Sequence, residues 1–171
     1  MDADNHFAVL GLEPAYELDV AALERSYLGL QQQHHPDHAT AGTAGERRAA
    51  MERSGAINEA YRALRDPVRR AEYLCRLGGI DLDVSDPDRG APPMSQAFLI
   101  DMIERRDGMA ETRQRGHAAV DALRERVLGE QDAALDRAVL ALRGGAVREA
   151  AVALVERRYL QRLIDELDHE A

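Results

Sequence analysis

The chain contains no lysine and no tryptophan, one cysteine, two phenylalanines and five tyrosines among its 171 residues. Each shortage excludes something. A lone Cys75 rules out an internal disulfide and a tetracysteine zinc site. It sits in the apolar helical stretch YLCRL and is expected as a small buried residue. Without lysine, every long cationic side chain is a planar, forked guanidinium. The scarcity of aromatic and β-branched residues, beside abundant Ala, Leu, Glu and Arg, predicts an all-α protein with cores of small aliphatic side chains. No apolar run approaches a membrane span. The N-terminal MDADNHFAVLGL lacks a basic leader, so a cytoplasmic chain with no membrane partner is expected. Positive charge is also short, with a net charge of −9. Up to Leu77 there are 9 Arg against 12 acids (−3), and beyond it 13 against 19 (−6). Nucleic-acid binding needs a basic footprint, so no nucleic-acid partner is expected.

What remains is helical punctuation. NHFAVL, residues 5–10, predicts a short first helix. Asp19 is placed to cap a second, along which Val20, Leu23, Tyr27, Leu30 and His34 recur at helical spacing. It must end near His35, because Pro36 disfavours helix in the residue before it. Asp37–Gly45 is expected as loop. In a third helix Ala50, Ser54, Ile57, Tyr61 and Leu64 share one face, and Arg47, Arg48, Glu52, Arg53 and Glu59 are free to be solvated. Asp66 and Pro67 signal the start of a fourth, which Gly78-Gly79 stops. Residues 80–93, rich in acids with Gly and three prolines, are expected as a linker between domains 1–79 and 94–171. Three helices follow, at about 95–115, 118–143 and 146–169, with Ser95 capping the first and Gly144-Gly145 parting the last two. Short connections between them predict an antiparallel three-helix bundle.

Two features stand out. The first is QQQHHPDHATAGTAG, residues 31–45. His34 and His38 have the spacing of two ligands on one helix face, but Pro36 interrupts the helix between them and no third ligand is near. A metal site is not expected, and neither is a cofactor. The plain alternative is that Pro36 and Asp37 merely turn the chain. By composition a His-Pro-Asp tripeptide arises in about one chain in a hundred. Its weight therefore comes from its place, between two amphipathic helices in an N-terminal module of about 75 residues.

The second feature is the helix beginning at Gln96. At 100° per residue, Phe98, Met102 and Met109 fall within about 40° of one another, an ordinary core stripe. Leu99, Ile100 and Ile103 lie roughly 100–200° away, beside Glu104, Asp107 and Glu111. Such a second stripe is either packed between two neighbouring helices or exposed as a recognition patch of apolar anchors rimmed by carboxylates. Periodicity leaves both open.

Residues 5–77 resemble a J-domain, the helical hairpin with short flanking helices by which DnaJ-type co-chaperones engage an Hsp70. ERSYLGLQQQHHPDH, AINEAYRALRDPVRRAEYLCRLGGIDL, AFLIDMIERRDGMAE and VERRYLQRL, in that order and spacing, resemble the iron–sulfur co-chaperone family HscB along nearly the whole chain. The resemblance implies a partner Hsp70, HscA-type or DnaK-like, contacted by His35, Pro36 and Asp37 with help from Arg25. Pro36 stiffens the turn, which lowers the ordering cost of docking. Asp37 offers a carboxylate to a partner arginine. It further implies that an IscU-type scaffold binds Leu99, Ile100, Ile103, Glu104, Asp107 and Glu111, with Tyr159 alongside. The second helix is less basic than J-domains usually carry, so Arg47, Arg48, Arg62 and Arg65 are further candidates for the Hsp70 contact. Arg105 falls on the core stripe, where its stem is expected to snorkel outward. A general J-protein presenting other clients is the second reading. A metal-dependent enzyme using His34, His35 and His38 is the third, and lacks a nucleophile–base pair or a phosphate loop. An adaptor that is not itself an enzyme is expected.

Overall fold

The computed structural model describes residues 5–34 and 43–169, and every regular element among them is an α-helix. These are α1 His6–Val9, α2 Val20–Gln33, α3 Ala44–Arg65, α4 Pro67–Leu77, α5 Gln96–Asp107, α6 Met109–Gln114, α7 His117–Arg143 and α8 Val147–His169. The chain divides into two compact units, Met1–Leu74 and Cys75–Ala171. None of the described helices is long and apolar enough to cross a membrane.

In the first unit, local signals set the helix ends. The Asp19 carboxylate accepts the Ala21 and Ala22 N–H groups at 2.9 and 3.1 Å, satisfying donors that a helix start leaves unpaired. At α4 the Asp66 carboxylate does the same for Val68 and Arg69, and Pro67 opens the helix. Antiparallel α2 and α3 are zipped by polar and aromatic contacts. The Tyr27 and Tyr61 rings stack at 4.0 Å, and Asn58 Oδ1 accepts from both the Tyr27 hydroxyl and the Gln31 amide. Beneath them Phe7, Leu10, Leu23, Ile57, Ala60, Leu64 and Tyr73 form the core. The predicted inner face of α3 holds, with Ile57 and Leu64 buried and Ala50, Ser54 and Tyr61 half-buried.

One boundary differs from expectation. The loop predicted to run through Gly45 ends earlier, because α3 begins at Ala44. Thr43 and Glu46 form a reciprocal capping box. The Glu46 carboxylate accepts the Thr43 N–H at 2.7 Å, and Thr43 Oγ1 accepts the Glu46 N–H at 3.3 Å. Two satisfied end groups outweigh one helical glycine. The backbone N–H of Thr43, and then its hydroxyl, hold the Glu46 carboxyl below the usual glutamate range. A lowered folded pKa gives stability that is present above the unfolded value and lost as pH falls through the folded one. Thr43→Ala is therefore expected to lower the melting temperature of the intact chain by a few degrees, for a cap worth roughly 1 kcal/mol. Calorimetry at neutral pH and near pH 3 should show the gap from wild type narrowing in acid. An equal gap at both would show that the Thr43 hydroxyl takes no part in the Glu46 linkage, leaving it to the backbone N–H that the variant keeps.

In the second unit α7 and α8 pack antiparallel, with Ala134, Ala138, Ala150 and Ala151 fully buried. Small side chains of this kind let two backbones approach closely. The turn between the helices is a glycine stop: Gly145 has φ +73°, and the Ala146 N–H reaches back to the Ala141 carbonyl at 2.9 Å. Gly79 ends α4 in the same way, at φ +92° with the Ile80 N–H on the Cys75 carbonyl. Cys75 is buried. The stretch 80–93, expected as a linker, is anchored to α8. Ile80 and Leu82 are buried, and Arg158 donates to the Leu82 carbonyl and the Asp83 carboxylate at 3.0 and 2.9 Å. The helix expected over 95–115 is two helices, broken at Gly108. Glycine is a weak helix former, and the Gly108 carbonyl accepts both the N–H and the hydroxyl of Thr112 at 3.0 Å.

Candidate functional site

The α5 helix starts where Ser95 caps it, its hydroxyl accepting the Phe98 N–H at 3.2 Å. From there the two stripes separate as their spacing requires. Met109, just past the break, is buried with Leu123, Val127, Leu160, Leu163, Ile164 and Leu167, and Met102 packs on that cluster. The Phe98 ring meets Tyr159 of α8 edge-on at 5.7 Å. That is the core stripe. Along the other, Ile100 is 47% and Ile103 58% exposed, and no residue of α5 is fully buried. At Ile100 and Ile103 the second stripe is therefore open surface and not an interhelical seam, while Leu99 is half-buried.

Between α5 and α8 lies a groove of about 290 Å³. Leu99, Met102, Ile103 and Arg106 line it from α5, and Tyr159, Arg162 and Leu163 from α8. Each set follows the i, i+3, i+4 spacing of one helix face. Arg106 extends beyond its stripe to hold Glu166 through two bonds, at 2.7 and 2.5 Å, tying α5 to α8. Of the sequence candidates, the structure brings Leu99, Ile103 and Tyr159 into one groove. Ile100, Glu104 and Asp107 lie exposed on α5 outside it. Glu111 belongs to α6 and not to the continuous acidic row, and it pairs with Arg115 at 2.5 Å. Sequence reasoning missed Arg106, Arg162 and Leu163 as groove residues. The spacing Tyr159, Arg162, Leu163 and Glu166 carries the signal, but only if the partner helix is known.

Arg105 does not snorkel away. Its guanidinium is half-buried between helices, 2.9 Å from Asp101 of α5 and 2.5 Å from Glu130 of α7. Burial works against its charge, and the bonds to Glu130 and Asp101 more than offset this, so its pKa is raised. A cation on the core stripe is tolerated because it joins α5 to α7 by charge-assisted bonds.

His35, Pro36 and Asp37 lie outside the described residues. The hairpin that carries them is described on both sides, through His34 closing α2 and Thr43 opening α3. Arg25 is exposed and lies 3.6 Å from the Asp19 carboxylate. Around it Val20, Glu24 and Leu28 are also exposed, so this side of α2 presents one cation among apolar and acidic groups. On α3, Arg48 pairs with Glu52 at 2.8 Å, and Arg65 lies 5.8 Å over the Tyr61 ring.

With this geometry in hand, comparison with known proteins is direct. Residues 5–73 match the DnaJ domain, and residues 94–168 match the HSCB C-terminal oligomerisation domain. A co-chaperone protein HscB homolog of Burkholderia multivorans is 35% identical over 96% of this chain and 92% of its own length. One from Bordetella petrii is 41% identical over 66% of this chain and 64% of its own. Among solved structures, the chaperone HscB from Vibrio cholerae is 28% identical, with a TM-score of 0.78 over 97% of this chain and 96% of that one. Human co-chaperone protein HscB is 25% identical, with a TM-score of 0.81 over 99% of this chain and 83% of that one. The DnaJ match over residues 5–73, the HSCB C-terminal match over 94–168 and the 35% identity along nearly the whole chain place this protein in the HscB family of co-chaperones.

Proposed function

We propose that this HscB-family co-chaperone stimulates the ATPase of an HscA-type Hsp70 and delivers an IscU-type scaffold to it for iron–sulfur cluster transfer. The observation that carries the reading is the open apolar stripe of α5 beside the α5–α8 groove. A structural helix would bury Ile100 and Ile103, and here they stay in solvent at the edge of a concave apolar surface. The N-terminal hairpin supports the other half. His35, Pro36 and Asp37 follow directly on a helix end, and Arg25 is free to reach a partner from the side of α2. The chain holds the two partners and the Hsp70 performs the hydrolysis. The match over residues 94–168 favours a dedicated scaffold over a general client.

Steady-state ATPase of the cognate Hsp70 tests this. The chain alone should stimulate turnover, and chain plus scaffold should stimulate it by more than the sum of the two separately. Stimulation that the scaffold leaves unchanged, while unrelated unfolded clients enhance it, would favour the general J-protein.

A further inference from the structure

The groove has a charge that its apolar walls do not explain. Two guanidinium groups line it, Arg106 and Arg162. Arg106 is already neutralised by Glu166. Arg162 is exposed and makes no ion pair or hydrogen bond among the described residues, and its guanidinium lies over the Tyr159 ring, 5.4 Å from the centroid. That contact directs the fork without neutralising it. A planar guanidinium resting over a ring loses less freedom when it takes a carboxylate than a lysine would. On the far side of the α5 stripe the exposed charges are the carboxylates of Glu104 and Asp107. The site is thus bipolar, with a cation on the α8 side, acids on the α5 side and Leu99, Ile103 and Tyr159 between.

We propose that Arg162 is a specificity-determining residue of this groove, taking an acidic side chain that the scaffold presents next to the apolar side chain it seats between Leu99 and Tyr159. This rests on the scaffold-binding reading above and deepens it. A groove of about 290 Å³ has room for a few apolar side chains and falls at the small end of cofactor-sized pockets. With opposite charges on its two sides, it also selects the direction in which the scaffold segment lies. A reversed segment would set acid against Glu104 and Asp107 and base against Arg162.

The test measures binding of the IscU-type scaffold from the same organism to the full-length chain by calorimetry at several salt concentrations. Arg162→Glu should weaken binding about tenfold or more, and Arg162→Lys should stay within about threefold of wild type. Arg162→Ala should flatten the salt dependence of Kd, which a loss of packing alone would not do. Arg or Lys at one acidic position of the scaffold should restore binding to Arg162→Glu. If Arg162→Glu binds within twofold of wild type while Leu99→Ala/Ile103→Ala loses binding, the groove stands and the role of Arg162 is wrong. If Arg162→Glu binds weakly but the salt slope is unchanged and no scaffold reversal rescues it, Arg162 acts only through Tyr159 and the proposal fails. If Leu99→Ala/Ile103→Ala also binds normally, the groove is not the site and both readings fall.

Discussion

Replacing Leu99 and Ile103 together by alanine is expected to cost the protein its scaffold while leaving its Hsp70 activity intact. Both line the α5–α8 groove, and Ile103 is 58% exposed. Leu99 is half-buried and belongs to no core cluster, and a side chain as open as Ile103 contributes little to folding, so the melting temperature should move by no more than a few degrees. In a complex the same side chains become buried anchors, and central anchors carry most of the binding energy of an interface. Losing two should cost about 2–4 kcal/mol, a Kd roughly 30-fold to 1,000-fold weaker. Stimulation of the Hsp70 by the chain alone should persist and only the added effect of scaffold vanish. His35→Gln should do the opposite, abolishing stimulation with scaffold affinity unchanged. Two folded variants that each lose both activities would show that the protein does not work through two separable sites.

The largest stability effect is expected at Arg70, the most buried cation of the first unit at 6% exposure. Its guanidinium donates to the Leu64 carbonyl at 2.7 Å, to the Tyr16 carbonyl at 2.7 Å and to the Arg65 carbonyl at 3.4 Å, and lies 5.4 Å over the Tyr16 ring. Leu64 and Arg65 end α3, where carbonyls have no partner within the helix and the helix dipole favours a cation. Burial lowers the Arg70 pKa, but arginine starts high enough to stay charged. Arg70→Ala removes the donor from three carbonyls at once and opens a cavity. Only the Leu64 bond is fully buried and the other two are part-buried, so the low end of about 1–3 kcal/mol per unsatisfied group applies to those, and a total loss of roughly 3–4 kcal/mol is expected. Urea unfolding of the full chain should show the transition of the first unit shifted down by about 1–2 M. Arg70→Lys should recover little, since an ammonium cannot span the fork's positions. A midpoint shift too small to detect would mean that solvent satisfies those carbonyls as well as Arg70 does.

Much of this protein was legible before any coordinates, and the reason is local. Asp19, Asp66 and Ser95 start helices because a short side-chain acceptor meets N–H groups two or three residues on, a contact written entirely in nearby sequence. The glycines at 79 and 145 stop helices for an equally local reason. The two stripes of α5 follow from its period alone. Local reading went wrong where two short-range preferences competed. It carried a loop through Gly45, although the capping box had already begun α3, and it ran one helix through Gly108, where α5 ends and α6 begins.

Residue chemistry by itself determined that the chain is helical with His-Pro-Asp after its first long helix, and resemblance to a known family added the J-domain hairpin. Residue chemistry also determined that a later helix has an apolar face too many. Tertiary structure decided the rest. It left Ile100 and Ile103 in solvent, set Tyr159, Arg162 and Leu163 opposite Leu99 and Ile103, held Arg105 between Asp101 and Glu130, and tied residues 80–93 to α8 through Arg158. Apart from Arg105–Asp101 within α5, these pairings join residues tens of positions apart. Periodicity says which side chains share a face, but only packing says what, if anything, covers it.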